Sequence, residues 1–273
     1  MKKYIIAVFL ATTLLSCKKI EKTIIKSNKD NTEIKTQEFT IDSLNIHDSL
    51  ALNKVITADF NATVLVFPTL TNKKLLDSIY SPEKLNLFNY SKSELEFALN
   101  KKMKEYFDEN TKALKDYPGE YKQTWNQNSD MSIFQKGERF LTIIYSGDGF
   151  SGGAHGYYYE LYKNFDLQSN TTLQLRDVVT TTDPKIWNPI MLKAFLKNKN
   201  YNIDMLFDKS IPLNENFYFD ENSLHFVYGQ YEIAPYVVGV VNLVLPYTEI
   251  YPYLTPKFKA DHHIQIKKNK SWF

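Results

Sequence analysis

Cysteine is nearly absent from this chain of 273 residues, which has one, Cys17. No intramolecular disulfide is available, so stability in an oxidising compartment must come from packing alone. Arginine is scarce as well. Arg139 and Arg176 are the only two among 33 basic and 31 acidic residues. Sequence-specific nucleic-acid recognition draws on clustered arginine and a basic face, and this near-neutral chain offers neither. Catalytic signatures are thin: there is no His-Glu-x-x-His and no Cys–His pair, and Ser151 has no recognisable base partner in the sequence. The Gly-rich stretch 146–153 lacks both a GxGxxG spacing and a following helix with Lys-Ser/Thr, which argues against a phosphate loop. His262 and His263 are adjacent, and on an extended segment they point apart, so no metal site and no cofactor are expected.

A long apolar run is missing too. Tyr4–Leu15 is apolar but too short to span a bilayer. It follows Lys2-Lys3 and runs into Leu14-Leu15-Ser16-Cys17, which reads as a lipoprotein signal peptide over 1–16 with its acylated cysteine at position 17. Removal of those 16 residues leaves 257 of the 273, and 31 basic against the 31 acidic residues once Lys2 and Lys3 are gone. Several buried acyl methylenes, each contributing about 0.8 kcal/mol, would hold Cys17 in the lipid bilayer. No acidic run follows Cys17, which points to a periplasm-facing anchor in the outer membrane. Polar, aperiodic residues 17–36 then form a flexible tether.

Aromatic residues are abundant: 19 Tyr, 18 Phe and 3 Trp. Most suit a β-rich core, and some suit a binding face for sugars or proteins. Partial alternation over 39–46 and the apolar run 62–67 predict strands, and 70–80 predicts a short helix. Ser91 and Glu94 predict a capping box opening a helix over 92–114, with an apolar stripe through Leu95, Leu99, Met103 and Tyr106. Strands follow over 121–127, 131–135, 139–146 and 157–167, with a short return at 171–175. A second principal helix is expected over 189–198, with Asp183-Pro184 as another possible start. Further strands are expected over 217–219, 223–228 and 239–245. The reading is α+β, mainly antiparallel, with a basic tail over 256–273.

One constellation carries a resemblance. Ser151-Gly152-Gly153-Ala154-His155-Gly156 runs into the Tyr-rich strand and Asn164-Phe165-Asp166-Leu167. Tyr231-Glu232-Ile233-Ala234-Pro235-Tyr236, Gly239 and Pro246-Tyr247 follow. Together these resemble the RsiV family of extracytoplasmic domains over 151–255, and 37–150 resembles the PdaC-type domain that commonly precedes it. The best-known relatives are an anti-sigma factor whose ectodomain binds lysozyme and a peptidoglycan deacetylase. With no transmembrane helix, cytoplasmic segment or appended deacetylase domain in this sequence, the anti-sigma and deacetylase roles are not expected to carry over. Val237 and Val238 stand where many relatives have small residues.

The resemblance implies a non-catalytic, envelope-tethered module recognising a lysozyme-like protein or a peptidoglycan glycan. Its candidate binding residues are Gly152, Gly153, His155, Tyr157, Tyr159, Tyr231, Glu232 and Tyr236. Gly152 and Gly153 permit positive φ at a bend. His155 either fixes the loop or serves as a ligand or base; Glu232 is a candidate to pair with it across the sheet, and Asp148 is a second candidate carboxylate. The enzyme alternative is a hydrolase using His155 with Glu232 or Asp148. It requires those side chains to converge within hydrogen-bond reach.

Overall fold

Period-two patterning dominates the first half and builds a sheet. The chain is represented by a computed structural model that describes residues 39–116 and 118–265. The expected signal peptide, lipidated Cys17, tether and residues 266–273 of the tail lie outside the described residues. Strands β1 (Asp42–Ala51), β2 (Ile56–Val66), β3 (Gln123–Lys136), β4 (Phe140–Phe150), β5 (Tyr157–Asp166) and β6 (Thr171–Thr172) pair in that order. Every pair is antiparallel except β2–β3. The parallel pair follows from its connection, because α1 (Lys73–Tyr80) and α2 (Lys92–Ala113) lie between the two strands.

Those helices cover one face. Ile56, Ala58, Phe60, Ala62 and Val64 alternate inward along β2 and are buried with Leu95, Leu99 and Tyr106 of α2. The Tyr145 hydroxyl of β4 donates to the Ile79 carbonyl of α1 at 2.7 Å, joining helix to sheet. The opposite face of β1–β3 stays polar, a point that becomes functional below.

A second sheet, β7 (Phe217–Phe219), β8 (Ser223–Tyr228) and β9 (Val241–Pro246), packs with α4 (Pro184–Leu196) around a core that includes Trp187, Phe195, Phe226 and Leu243. Short helices α3 (Leu175–Val178), α5 (Tyr247–Ile250) and α6 (Pro256–Asp261) complete it. The two sheets meet where Tyr162 of β5 packs on Tyr218 of β7, ring centroids 4.6 Å apart. A bulge between Ile133 and Gln135 frees Phe134 from the ladder, and its ring reaches Tyr218 at 4.6 Å. The boundary expected at 150/151 falls in the loop between β4 and β5, neighbours in one sheet. Among the described residues, those from Thr40 onward form one compact unit.

Several expectations need correcting. Beside the two principal helices and the short one expected over 70–80, the described residues hold three further short α-helices, six in all. α4 starts at Pro184, where Asp183 caps it by accepting from the Lys185 N–H at 2.9 Å, and Pro189 lies inside the helix. The capping box of α2 is half formed. Ser91 Oγ accepts from the Glu94 N–H at 3.3 Å, whereas the Ser91 N–H goes to Asn89 Oδ1 at 3.1 Å. The strands expected over 121–127 and 131–135 are one strand of 14 residues, β3. Its Asn128-Ser129-Asp130 reads as a turn in isolation, but both neighbouring strands pair it. The tail is partly folded, since Phe258 and Ile264 are buried. No helix among the described residues is long and apolar enough to cross a membrane.

Candidate functional site

The loop between β4 and β5 bends at two successive glycines, Gly152 (φ +88°) and Gly153 (φ +95°). Side-chain residues rarely occupy such angles, so the glycines are required by the bend. Contrary to expectation, Gly147, Asp148 and Gly149 belong to β4 and not to the loop. A Cβ on Gly147 or Gly149 would meet the ring of Tyr159 or Tyr157 at 2.7 and 2.6 Å. These two glycines therefore make room for tyrosines lying across from them in the next strand.

Strand alternation then divides the tyrosines. Tyr157 and Tyr159 lie over those glycines on the face that carries α1 and α2, away from the cluster described next. Tyr158 points to the polar face, where its hydroxyl donates to Glu160 at 2.6 Å. Burial and that carboxylate raise the Tyr158 hydroxyl pKa to about 12.

A second loop, between β8 and β9, meets the first. It is pinned by buried Ile233 and Ala234 and by Gln230, whose side chain accepts the Tyr158 N–H at 2.9 Å. Nearby, Asn216 accepts the Tyr162 N–H and donates to the Glu160 carbonyl, both at 2.8 Å. These amides satisfy backbone groups on the edge of β5 and block further strand addition there.

Tyr231 follows with φ +63°, a left-handed conformation rare for a large side chain. Its hydroxyl lies 3.3 Å from His155 Nε2. His155 Nδ1 lies 2.9 Å from the Gly156 carbonyl. A carbonyl only accepts, so Nδ1 carries the proton and Nε2 accepts from Tyr231. The imidazole stacks on Tyr236 with centroids 4.1 Å apart, and Tyr231 lies 5.8 Å from Tyr236. His155 is exposed, Tyr231 is 54% exposed and neighbouring Val237 90%. The structure thus brings His155, Tyr231 and Tyr236 together, whereas Gly152 faces the Trp125 ring and Gly153 faces open space.

Glu232 is not part of that cluster. Its carboxylate accepts from the Gly229 N–H at 2.8 Å and from Asn214 at 3.0 Å, so the expected pair with His155 does not form. Asp148 accepts instead from Asn126 at 2.6 Å and Asn128 at 3.0 Å. Ser151 sits in Gly149-Phe150-Ser151-Gly152-Gly153, a Gly-x-Ser-x-Gly spacing the sequence reading passed over. It lies in a hairpin loop, not on the strand-to-helix elbow that exposes a nucleophile in hydrolases.

Beside the cluster spreads the polar sheet face. Asp59 and Asn61 of β2, Asn126, Asn128 and Asp130 of β3, Asp148 of β4 and Glu160 of β5 share it by register. His47 of β1 reaches Asp59 at 3.3 Å. Four carboxylates give this face negative charge, which with the neighbouring aromatics suits a cationic ligand, while the Asn126 and Asn128 amides already donate to Asp148. The alternating Asn126, Asn128 and Asp130 were the available signal, obscured because such residues also favour turns.

The fold and site together define a two-sheet α+β protein with an exposed aromatic cluster beside an acidic sheet face. Residues 177–248 match the family described as "Protein of unknown function (DUF3298)". That matched stretch runs from α3 to α5 and contains Tyr231 and Tyr236, while His155 lies outside it. A crystal structure of a DUF3298 family member from Bacteroides fragilis is similar at 19% identity and a TM-score of 0.67, over 81% of this chain and 95% of that one. A DUF3298 family protein from Pseudomonas aeruginosa is similar at 17% identity and a TM-score of 0.53, over 80% and 96%. At these identities the likeness is one of fold. No curated protein matches the sequence.

Proposed function

We propose that this chain is a lipid-anchored, non-catalytic binding module of the cell envelope, recognising a lysozyme-like protein or a peptidoglycan glycan. The observation that carries the reading is Tyr231. A large, exposed side chain is held at positive φ with its hydroxyl on His155 and its ring against Tyr236. Local strain of this kind concentrates at ligand sites, where the surroundings enforce it. Rigid aromatics lose little entropy on binding, which suits them as anchors. The carboxylates of the neighbouring face favour a cationic protein surface, and its amides favour sugar hydroxyls. The resemblance to RsiV-type and PdaC-type domains supports lysozyme as the first ligand to test.

Titrating the purified chain against c-type and g-type lysozymes and soluble peptidoglycan fragments is expected to give saturable binding. Tyr231→Ala and Gly153→Asp should each weaken it by about tenfold or more, in keeping with loss of an interface anchor. Their circular dichroism should match that of the parent. Absence of binding to every ligand sinks the reading. The address is tested apart from the ligand: Cys17→Ser should move the protein from the membrane to the soluble fraction, and unchanged membrane association refutes lipidation.

A further inference from the structure

A cleft of about 810 Å³ opens at the far end of the first sheet, within the usual size range of small-molecule sites. Phe140, the first residue of β4, lines it, whereas the aromatic loop follows Phe150, the last. One strand length, about 33 Å for 11 residues, separates the two. Both arginines of the sequence, Arg139 and Arg176, line this cleft, with Lys74 and Lys257.

The charges in it are unequally used. Arg139 is held by Asp166 at 2.6 Å and Asp261 at 2.8 Å, and Lys257 also pairs with Asp261. The Asp177 carboxylate accepts the Gln174 N–H at 2.9 Å. All three carboxylates of the cleft are therefore engaged. Arg176 and Lys74 are exposed and have no hydrogen-bond or ion-pair partner among the described residues. A guanidinium and an ammonium lining one cavity, neither of them paired with a carboxylate, can receive an anionic group. The turn from β5 to β6 places Ser169, Asn170 and Thr171 in the same lining, adding hydroxyl and amide partners for a polar body.

We infer that this cleft binds a small, hydroxyl-rich organic anion, a sugar carrying a carboxylate or a phosphate, with Arg176 and Lys74 holding the charge. This site is independent of the aromatic cluster and of the lysozyme or glycan reading. Its failure would leave that reading untouched.

The scarcity of arginine supplies the readout. A ¹⁵N-correlated spectrum of the full chain contains two arginine Nε–H signals. One belongs to Arg139, whose Nε–H lies 3.1 Å from Asp166, and the other to Arg176, assigned by its loss in Arg176→Gln. Glucuronate, glucose 1-phosphate, inorganic phosphate and neutral glucose are titrated separately to about 10 mM, enough to detect millimolar affinity. Glucuronate or glucose 1-phosphate is expected to shift the Arg176 signal saturably while the Arg139 signal stays fixed. Whichever of the two binds more tightly identifies the anion. Lys74→Gln should weaken that binding about tenfold, whereas exposed Lys209→Gln should not.

No saturable shift with either sugar anion overturns the inference. So does an equal response to neutral glucose, or equal affinity for inorganic phosphate, which would leave the hydroxyl groups without a role. Binding that survives Lys74→Gln undiminished refutes the assigned residues.

Discussion

Arg139→Met is expected to lower the stability of the chain by about 3–4 kcal/mol, the cost of leaving a buried carboxylate without its partner. Asp166 is 3% exposed. Its two oxygens receive the Arg139 Nε–H, both at 3.1 Å, and Nη2–H at 2.6 Å, and one of them also accepts the Gln168 and Ser169 N–H groups of the following turn. Burial alone pushes this carboxyl up. The guanidinium and the Ser169 contacts outweigh burial and hold it below the usual carboxylate range. Methionine keeps the aliphatic stem near the Phe140 ring but removes the charge.

The sign of the pH dependence follows. A carboxyl whose folded pKa is depressed stabilises the fold above its unfolded value of 3.8 and loses that contribution as pH falls through the folded value. The penalty of Arg139→Met should therefore be largest near neutrality and shrink towards strong acid. Asp166→Asn keeps an oxygen for the turn and removes the stranded charge. In the Arg139→Met background it should recover about 1.5 kcal/mol or more. Urea unfolding of the four members of this cycle decides the matter. A loss below about 1 kcal/mol, the range of a surface pair, would mean that Asp166 is not a buried charge in solution.

How much of this was legible in the sequence depends on how local each signal was. The α2 helix could be read because Ser91 as its cap and the spacing of Leu95, Leu99 and Tyr106 are local. The strands 217–219 and 223–228 could be read because continuous apolar runs bounded by turns leave few alternatives. The continuity of β3 through Asn128-Ser129-Asp130 was not legible. It depends on ladders supplied by β2 and β4, and one of those partners lies more than 60 residues away in the chain. The same reason hid the pairing of Gly147 with Tyr159, which turns an apparent Gly-rich loop into strand.

At the candidate site, the residue types were legible and their partners were not. His155, Tyr231 and Tyr236 do meet. The notion that Glu232 pairs with His155 failed because that carboxylate is consumed by its own turn, at the Gly229 N–H. Acidic side chains near tight turns satisfy backbone donors first, a competition that no spacing rule reveals. Gln230 and Asn216 gave no sequence signal at all, because their role exists only beside the edge of β5.

Acid should loosen the same corner of the molecule through His262. Its ring packs against Phe140 at 4.3 Å and against Phe219 and Phe258, each at 4.4 Å. Its buried Nε2 finds no partner among the described residues. Burial is the main cause that lowers its pKa to about 4, opposed by Asp261 and reinforced by the Arg139 charge. Here the folded pKa lies below the unfolded value of 6.5, so the unfolded chain binds the extra proton between those two limits. Stability from this group is complete above pH 6.5 and falls as pH drops towards 4. The loss amounts to about 2 kcal/mol, the ring's partial contact with solvent included. Asp166 and Asp261, both held below the usual carboxylate range, titrate lower and do not distort this window. Thermal unfolding between pH 7 and 4 should show the decline in the parent. His262→Phe, which keeps an aromatic ring among the three phenylalanines and cannot protonate, should flatten it. The comparison rests on the slope and not on the absolute stability, so a packing penalty from the larger ring does not obscure the result. A variant that declines as steeply as the parent would show that the imidazole already meets water or a proton acceptor in the folded state.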